Sequence, residues 1–266
     1  MTVPAESVES VEQLASVWRR VVLDRDASGD VRDLPGLAVR WADSQFPFWN
    51  CVALTGPGTG AALLERRLGQ AAEVMRAKER PGFLWLFEDM FDEAARAALE
   101  PAAEGAGLRY AFSGAGMAGD VLPLPEPIHD DLTFARVRTK EHLRAYADLN
   151  ARAYGLPAES VHEGLLGSVL WTDTAHSYLA LREGVPVACA AAVEAEGRLF
   201  VALVATDPQW QRRGYGEAVT RRALHEGFRA TGSTRAVLHA TAAGAPVYRR
   251  IGLTPNSPIR FYALGD

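Results

Sequence analysis

Prolines at alternate positions interrupt this sequence near its middle. Pro123, Pro125 and Pro127 follow one another with a single residue between them. A proline ring fixes φ at about −65° and removes an amide donor, so the stretch favours an extended linker over a central strand. The chain has 266 residues, which suits one large domain or two modest ones, because single cores stop growing at about 250–300 residues. We therefore predict a domain over 1–122, a linker over 123–131 and a second domain over 132–266.

Composition and charge are those of a soluble globular protein, because 48% of the residues are hydrophobic and 23% are charged. The formal net charge is −5, so there is no basic excess to neutralise a nucleic-acid backbone or an anionic lipid surface. Residues 1–10 lack the basic and apolar parts of a signal peptide, and no apolar run approaches the roughly 18 residues of a membrane span. We expect a cytoplasmic protein with no nucleic-acid and no membrane partner.

The chain has two cysteines, Cys51 and Cys189, far apart in sequence. Two such thiols make neither a disulfide framework nor a metal cluster, so we predict no metal site. Both are expected to be small buried residues.

Apolar residues recur at helical and strand spacing in both halves, which predicts an α+β fold with mixed sheets flanked by helices. In the first half the patterns predict helices near 8–21, 64–75 and 92–100 and strands near 36–41, 49–54 and 83–87. In the second half they predict strands near 132–137, 177–181, 185–193, 199–206, 236–241 and 259–263, with helices near 139–153, 219–229 and 245–252. The short connections between the second-half strands at 177–206 predict antiparallel neighbours.

The most informative segment lies where a buried strand is followed by a helix. Gly214 and Gly216 allow backbone amides to converge without obstruction by a Cβ atom, and the positive end of the following helix points at the same space. Arg212 and Arg213 add positive charge beside this turn. The segment therefore predicts a phosphate site for a nucleotide-derived cofactor.

A simple tight turn with solvated arginines is the alternative, and a lone Gly-x-Gly is often no more than that. The dinucleotide-binding fingerprint is not met, because Val219 takes the place of its third glycine. The P-loop is also excluded, since the sequence contains no Gly-Lys-Ser/Thr. The glycines at 56–60 lack that lysine too and are interpreted as a loop.

The segment resembles the acetyl-CoA motif of the GNAT superfamily of N-acetyltransferases, Gln/Arg-x-x-Gly-x-Gly/Ala, with Gln211, Gly214 and Gly216 in the matching positions. Downstream, the segment from Tyr248 to Leu253 is similar to the family's Tyr-x-x-x-Gly-Phe element. The resemblance covers residues 132 to the C-terminus and implies a catalytic domain that binds acetyl-CoA as co-substrate, without a metal.

The resemblance also implies which residues bind the cofactor. The backbone of Val204, Ala205 and Thr206 should pair with the pantetheine arm as an added strand. Thr241 stands where many relatives have an asparagine that contacts pantetheine, and its hydroxyl is the expected substitute. The diphosphate should be held by the segment Arg212, Arg213, Gly214, Tyr215, Gly216 and Glu217, which follows Gln211.

Tyr248 matches the tyrosine that protonates the departing thiolate in relatives, although an amphipathic packing role is the alternative. A base must also take a proton from the amine. Glu194 and His239 are the candidates. The alternative for Glu194, and for the nearby Glu196, is a solvated glutamate in a hairpin. The alternative for His239 is a histidine packed in the sheet. Candidate acceptor contacts are His162, Glu163 and Trp171.

The first half has no Gln/Arg-x-x-Gly-x-Gly element. It is similar to the degenerate half of tandem GNAT proteins, which has lost its cofactor motif; an unrelated cap domain is the alternative. The aromatic residues Phe46, Phe48 and Trp49 are candidates either for lining a cleft or for anchoring a core.

We therefore predict an N-acetyltransferase in which a primary amine of a small molecule attacks acetyl-CoA directly in a ternary complex. A protein or peptide amine is the alternative acceptor, and a non-catalytic acyl-CoA-binding sensor or scaffold is the alternative class. The protein is expected to be a monomer or a homodimer.

Overall fold

The computed structural model describes residues 3–265. Met1, Thr2 and Asp266 lie outside the described residues. Met1 and Thr2 belong to the predicted first domain and to the N-terminal stretch that lacks signal-peptide features, and Asp266 belongs to the predicted second domain. The helices are α1 (Ala5–Arg25), α2 (Ala61–Arg76), α3 (Glu93–Gly105), α4 (Lys140–Tyr154), α5 (Ala158–Leu165), α6 (Tyr215–Thr231) and α7 (Ala245–Ile251). The strands are β1 (Asp30–Leu34), β2 (Leu37–Trp41), β3 (Asn50–Leu54), β4 (Phe83–Phe87), β5 (Leu108–Gly119), β6 (Thr133–Arg136), β7 (His176–Arg182), β8 (Val185–Ala195), β9 (Arg198–Thr206), β10 (Ala236–Thr241) and β11 (Thr254–Leu264).

The chain separates into two compact units that are not contiguous in sequence. The first unit contains the residues up to Met117, the segment Ala240–Ala243 and the segment from Pro255 onward, and the second contains Ala118–His239 and Gly244–Thr254. The C-terminal strand therefore lies in the first unit, and residues 123–131 lie in the second.

Residues 123–131 run along α6 within the second unit. The His225 ring donates from Nδ1 to the Leu124 carbonyl at 2.9 Å, and Glu126 forms an ion pair with Arg222. The alternate prolines keep the backbone extended, and the carbonyls and side chains between them supply these contacts.

In the first unit, the strands follow the order β1-β2-β3-β4-β11-β5. The β1/β2 and β2/β3 pairs are antiparallel, β3 and β4 are parallel with α2 as the crossover, and β11 is antiparallel to β4. Aromatic rings fill the core beneath this sheet: the Phe261 ring stacks on Phe112 at 4.2 Å between centroids and meets Trp85 at 4.4 Å. Phe46 and Trp49 are each 1% exposed, so these two residues anchor the core.

In the second unit, the order is β10-β9-β8-β7-β6. Strands β6 to β9 are antiparallel to their neighbours, and β9 and β10 are parallel with α6 as the crossover. The first unit thus contains three antiparallel strands followed by a helix and a parallel strand, and the second contains four antiparallel strands followed by the same two elements. The predicted α+β class, with mixed sheets flanked by helices, is confirmed.

Helices α4 and α6 cover opposite faces of the second unit's sheet. The Cys189 side chain meets Asn150 of α4, whereas Thr206, on the neighbouring strand, lies against Gly216 of α6. Cys189 pairs with Ala205, the residue before Thr206, and successive strand residues point to opposite faces. Thr139 is the N-cap of α4, and its hydroxyl accepts from the His142 amide at 3.2 Å.

The described residues include neither a membrane-crossing helix nor a metal-binding cluster. Between residues 3 and 265, no helix has the length and apolar character needed to cross a membrane. Within the same residues, no three or more His, Cys, Asp and Glu side chains form a group that could hold a metal ion.

The aromatic stack on β11 gives a test of the first unit's core. Phe261 is 4% exposed, and we expect Phe261→Ala to lower the free energy of unfolding by about 3–5 kcal/mol because it removes a buried ring and leaves a cavity. Urea denaturation measures this loss. Ile128→Ala is the control: Ile128 is 91% exposed, so its change should stay within about 0.5 kcal/mol. A Phe261→Ala loss no larger than the control's would contradict the packing described for β11.

Candidate functional site

The start of α6 leaves backbone amides open. Gly214 is the N-cap residue, with φ of 82° and no side-chain cap. The first intrahelical bond runs from the Ala218 amide to the Gly214 carbonyl at 2.9 Å, so the amides of residues 215–217 have no acceptor within the helix. Amide groups of this kind, with the positive end of the helix dipole behind them, favour a bound anion.

Gly216 allows α6 to begin directly against the end of β9. A Cβ atom on this residue would lie 2.8 Å from Thr206 Oγ1, closer than such atoms approach in proteins. The second glycine of the motif is therefore explained by the close approach between helix and strand, whereas the first is explained by the positive φ at Gly214.

The predicted phosphate-loop residues lie together at this turn. Gln211, Arg212 and Arg213 are exposed, and Arg212 has φ of 62°. The Tyr215 side chain is 1% exposed. The structure thus presents the arginine side chains to solvent beside the open amides and uses the tyrosine for packing.

The Glu217 carboxylate in the first turn of α6 is neutralised by two arginines. It lies 2.9 Å from Arg221 Nη2 and 2.7 Å from Arg250 Nε. Burial alone would raise the pKa of Glu217, but the hydrogen bonds from Arg250 and Arg221 outweigh burial and hold that pKa below its usual range. A negative charge so close to the amides is therefore offset.

Strand β9 leaves β10 before it reaches the loop. Its pairing with β10 covers Leu199–Val201, opposite Ala236–Leu238, and β9 continues to Thr206. On its other side, Ala205 and Thr206 still pair with β8. The end of β9 therefore has one edge available for an extended ligand, which can bind to it as an added strand does.

A β-bulge lies at this point of β9. Leu203 has φ of 51°, and the register places two residues of β9, Leu203 and Val204, opposite a single residue of β8. Such a conformation is costly for leucine and needs support from its surroundings.

Two tyrosines of α4 support the bulge. The Tyr146 hydroxyl donates to the Leu203 carbonyl at 3.0 Å, and the Tyr154 hydroxyl donates to the Val204 carbonyl at 3.0 Å. Between them, Asn150 donates to Cys189 Sγ at 3.3 Å. These residues were not predicted, although Tyr146 and Asn150 lie four positions apart in the helix predicted near 139–153 and Tyr154 follows at the same spacing.

Both thiols are structural. Cys51 and Cys189 are each 0% exposed, which confirms the expectation that they are small buried residues. Burial raises the pKa of both thiols above the ordinary value, so they stay protonated and unreactive at neutral pH.

Tyr248, the predicted acid, belongs to the same tyrosine cluster. Its side chain is 8% exposed. Burial, with a smaller contribution from Tyr154, raises the pKa of Tyr248 above its ordinary value, and Tyr248 in turn contributes to the raised pKa of Tyr146. The Tyr248 hydroxyl therefore stays protonated at neutral pH and can act as a proton donor.

The structure does not bring Glu194 to this cluster. Its carboxylate accepts from the Gly197 amide at 3.0 Å in the turn between β8 and β9, and Glu194 pairs with Leu199. Leu199 is four residues from Leu203, or about 13 Å along a strand. The Glu194 side chain therefore stabilises the turn.

The other predicted residues take varied positions. The His239 ring packs edge-on against Phe200 at 5.1 Å between centroids. Thr241 is the last residue of β10 and is grouped with the first unit. His162 Nε2 lies 2.5 Å from Asp148 Oδ1, and Trp171 is a core residue with 1% exposure.

The corresponding loop of the first unit, between β3 and α2, is closed. Thr59 forms a parallel β-bridge with Phe91, and the Thr59 amide donates to the Met90 carbonyl at 3.0 Å. The Arg67 guanidinium fills the loop: it donates to the Thr59 hydroxyl and, at 3.3 Å, to the Gly56 carbonyl. The same order of strand, glycine-containing loop and helix therefore leaves no open strand edge here.

Comparisons with known proteins agree with this geometry. A model of the acetyltransferase (GNAT) family matches residues 143–253, and no curated protein sequence matches the chain. A GCN5-related N-acetyltransferase from Kribbella flavida is 21% identical, with 97% of this chain and 96% of that chain covered and a TM-score of 0.71.

Two further solved structures are similar over nearly the whole chain. A GCN5-related N-acetyltransferase from Sphaerobacter thermophilus is 15% identical, covering 98% of this chain and 96% of that chain with a TM-score of 0.59. A GCN5-related N-acetyltransferase-like protein from Streptococcus suis is 14% identical, covering 97% of this chain and 98% of that chain with a TM-score of 0.53. At such low identities the likeness concerns the fold alone.

The contact between Gly216 and Thr206 can be tested with a double variant. We expect Gly216→Ala to lower the free energy of unfolding by about 1–3 kcal/mol, because the added methyl group is forced against Thr206 Oγ1. Adding Thr206→Ala should restore most of that loss by removing the oxygen. Urea denaturation of both single variants and the double variant measures the coupling. Simple additivity, or a stabilising Gly216→Ala, would contradict the close approach.

Proposed function

Because residues 143–253 belong to the acetyltransferase (GNAT) family, we propose that this chain transfers an acetyl group from acetyl-CoA to a primary amine of a small molecule. Family membership, as expected from Gln211, Gly214 and Gly216, is confirmed and supports acyl transfer in general. We propose the acetyl donor, the amine acceptor and the direct reaction in a ternary complex as the details of this function. The main observation in support of the proposal is the open edge of β9, which leads to the uncapped start of α6.

The residues at this site fit the co-substrate. The open amides of residues 215–217, with Arg212 and Arg213 adding positive charge beside them, suit its phosphate groups. The edge of Val204–Thr206 that β10 leaves unpaired suits the amide groups of its pantetheine arm, which can pair with a strand as a peptide does. The Val204 carbonyl there already accepts from the Tyr154 hydroxyl.

Bound acetyl-CoA supplies an acyl group activated as a thioester. Tyr248 is placed in the proposal as the general acid, which gives its hydroxyl proton to the thiolate sulfur as the carbon–sulfur bond breaks. A tyrosine of ordinary pKa, about 10, is already protonated at neutral pH. Burial raises the pKa of Tyr248 further and makes it a weaker acid, so the proposal rests on its place in the tyrosine cluster and not on that shift.

The amine must lose a proton to a base. We retain His239 for this role, since it follows Leu238, the last β10 residue paired with β9 before the strands separate. Glu194 is not retained, because its carboxylate is used in the turn at the far end of β9.

The first unit is proposed to be a degenerate copy of the same fold. In both units a run of antiparallel strands is followed by a helix and a parallel strand, with three antiparallel strands in the first unit and four in the second. The Thr59–Phe91 bridge and the Arg67 guanidinium in the loop support a unit that binds no cofactor. One cofactor site per chain is therefore proposed.

A thiol-release assay tests the function. The purified chain is incubated with acetyl-CoA and a panel of small-molecule amines, and free thiol and acetylated amine are both measured. We expect amine-dependent thiol release with at least one member of the panel. Saturable CoA binding with no thiol release from small-molecule or peptide amines would instead favour a non-catalytic acyl-CoA-binding module.

Removal of one hydroxyl tests the acid. We expect Tyr248→Phe to lower kcat by about 100-fold, the usual contribution of a positioned acid, with CoA affinity unchanged. Because the pKa is raised above the ordinary value of about 10, wild-type kcat should not fall through loss of this proton between about pH 7 and about pH 9. Tyr110→Phe is the control, since Tyr110 is 51% exposed. Unchanged turnover of Tyr248→Phe at saturating substrates would reject the acid role.

A further inference from the structure

Two arginines stack on a single indole ring beside the phosphate loop. Trp210 lies in the turn Pro208–Trp210 between β9 and α6. The guanidinium carbon of Arg182, the last residue of β7, lies 4.7 Å from the Trp210 ring centroid. The guanidinium carbon of Arg213 lies 5.0 Å from the same centroid. One ring therefore holds two cations from different elements.

These cations have little opposing charge. Within residues 3–265, no carboxylate forms an ion pair with Arg212 or Arg213. Arg182 has only Glu183 at 3.6 Å, and the Glu183 side chain is 82% exposed, so that pair contributes little. The nearby Asp207 is already paired with Arg152 at 2.7 Å. A local positive excess thus exists in a chain whose net charge is −5.

The ring fixes the guanidinium groups but does not use their hydrogen-bond donors. A cation–π contact at a partly exposed site is worth about 0.5–1 kcal/mol, which offsets part of the repulsion between the two cations. The N–H groups at the rim of each guanidinium remain available to an anion. Two planar guanidinium groups at one place suit a group with several oxygens and two negative charges, as a phosphate monoester has.

The Arg182 guanidinium lies at a distance from the open amides of α6. Arg182 ends β7, and in the sheet β7 is two strands from β9, a separation of about 10 Å. Because the turn that carries Trp210 connects β9 to α6, the open amides of α6 and Arg182 can hold two anionic groups of one ligand. Coenzyme A carries such a pair: the diphosphate, and a phosphate monoester on the 3′ oxygen of its ribose.

We propose that Arg182 and Arg213, held on Trp210, bind the 3′-phosphate of coenzyme A and so select it over 3′-dephospho-CoA. This inference rests on the proposed function and adds a residue, Arg182, from a strand outside the loop motif. The diphosphate stays with the amides of α6, so loss of Arg182 should affect only ligands that carry the 3′-phosphate.

Isothermal titration calorimetry of the full chain with CoA and with 3′-dephospho-CoA tests the proposal. We expect the wild-type chain to bind CoA about tenfold more tightly, the effect of one or two charge-assisted hydrogen bonds. Arg182→Gln should lose most of this preference by weakening CoA binding, while 3′-dephospho-CoA affinity stays within about twofold.

Two further variants control for charge and for folding. Arg229→Gln removes the same charge from the last turn of α6, about 20 Å from its first turn, and should keep the preference. Trp210→Leu should lose the preference, whereas Trp210→Phe, which keeps an aromatic face, should retain much of it. Thermal melting checks that each variant is folded.

The outcomes separate this inference from the proposed function. Wild-type binding of CoA with no preference over 3′-dephospho-CoA, or an equal loss for both ligands in Arg182→Gln, would overturn the 3′-phosphate assignment and leave the acetyltransferase proposal standing. Failure of the wild-type chain to bind either ligand would overturn both.

Discussion

The early separation of β9 from β10 is the constraint on which the candidate site depends. Parallel strands would otherwise continue their ladder, and a closed ladder leaves no edge for a ligand. The bulge at Leu203 turns the backbone away from this ladder at a conformational cost that leucine does not meet alone. Tyr146 and Tyr154 of α4 offset that cost by bonding the two carbonyls of the bulge. The open edge is therefore built by a helix that carries none of the recognisable motif.

The two units differ locally at the loop where the second unit has its candidate site. In the second unit, the chain leaves the sheet at Thr206 and enters α6 through an uncapped glycine. In the first unit, Thr59 extends the parallel pairing and Arg67 occupies the loop. A guanidinium from the protein itself thus takes the space beside the helix start, so the order of elements alone does not make a site.

Sequence patterns predicted the elements that carry strong periodicity or a motif. The β9–α6 turn, the cap at Thr139 and the buried strands β3, β4, β8 and β9 are determined by local residues. Strand β1 was missed because Asp30–Leu34 is a polar, largely solvent-facing edge, and β5 because its small residues and glycines form no apolar run. The place of β11 in the first unit was also not predictable, since nothing in a single sequence determines which distant strand it pairs with. The roles of Tyr146 and Tyr154 depend on a bulge that a sequence does not show.

Hydrogen–deuterium exchange with and without acetyl-CoA tests whether the second unit alone holds the co-substrate, because it reports on both loops in one experiment. We expect acetyl-CoA to slow amide exchange across residues 204–206 and 214–217 and to leave residues 56–67 of the first unit unchanged. Unchanged exchange across 204–217, or equal protection of the two loops at saturating acetyl-CoA, would contradict it.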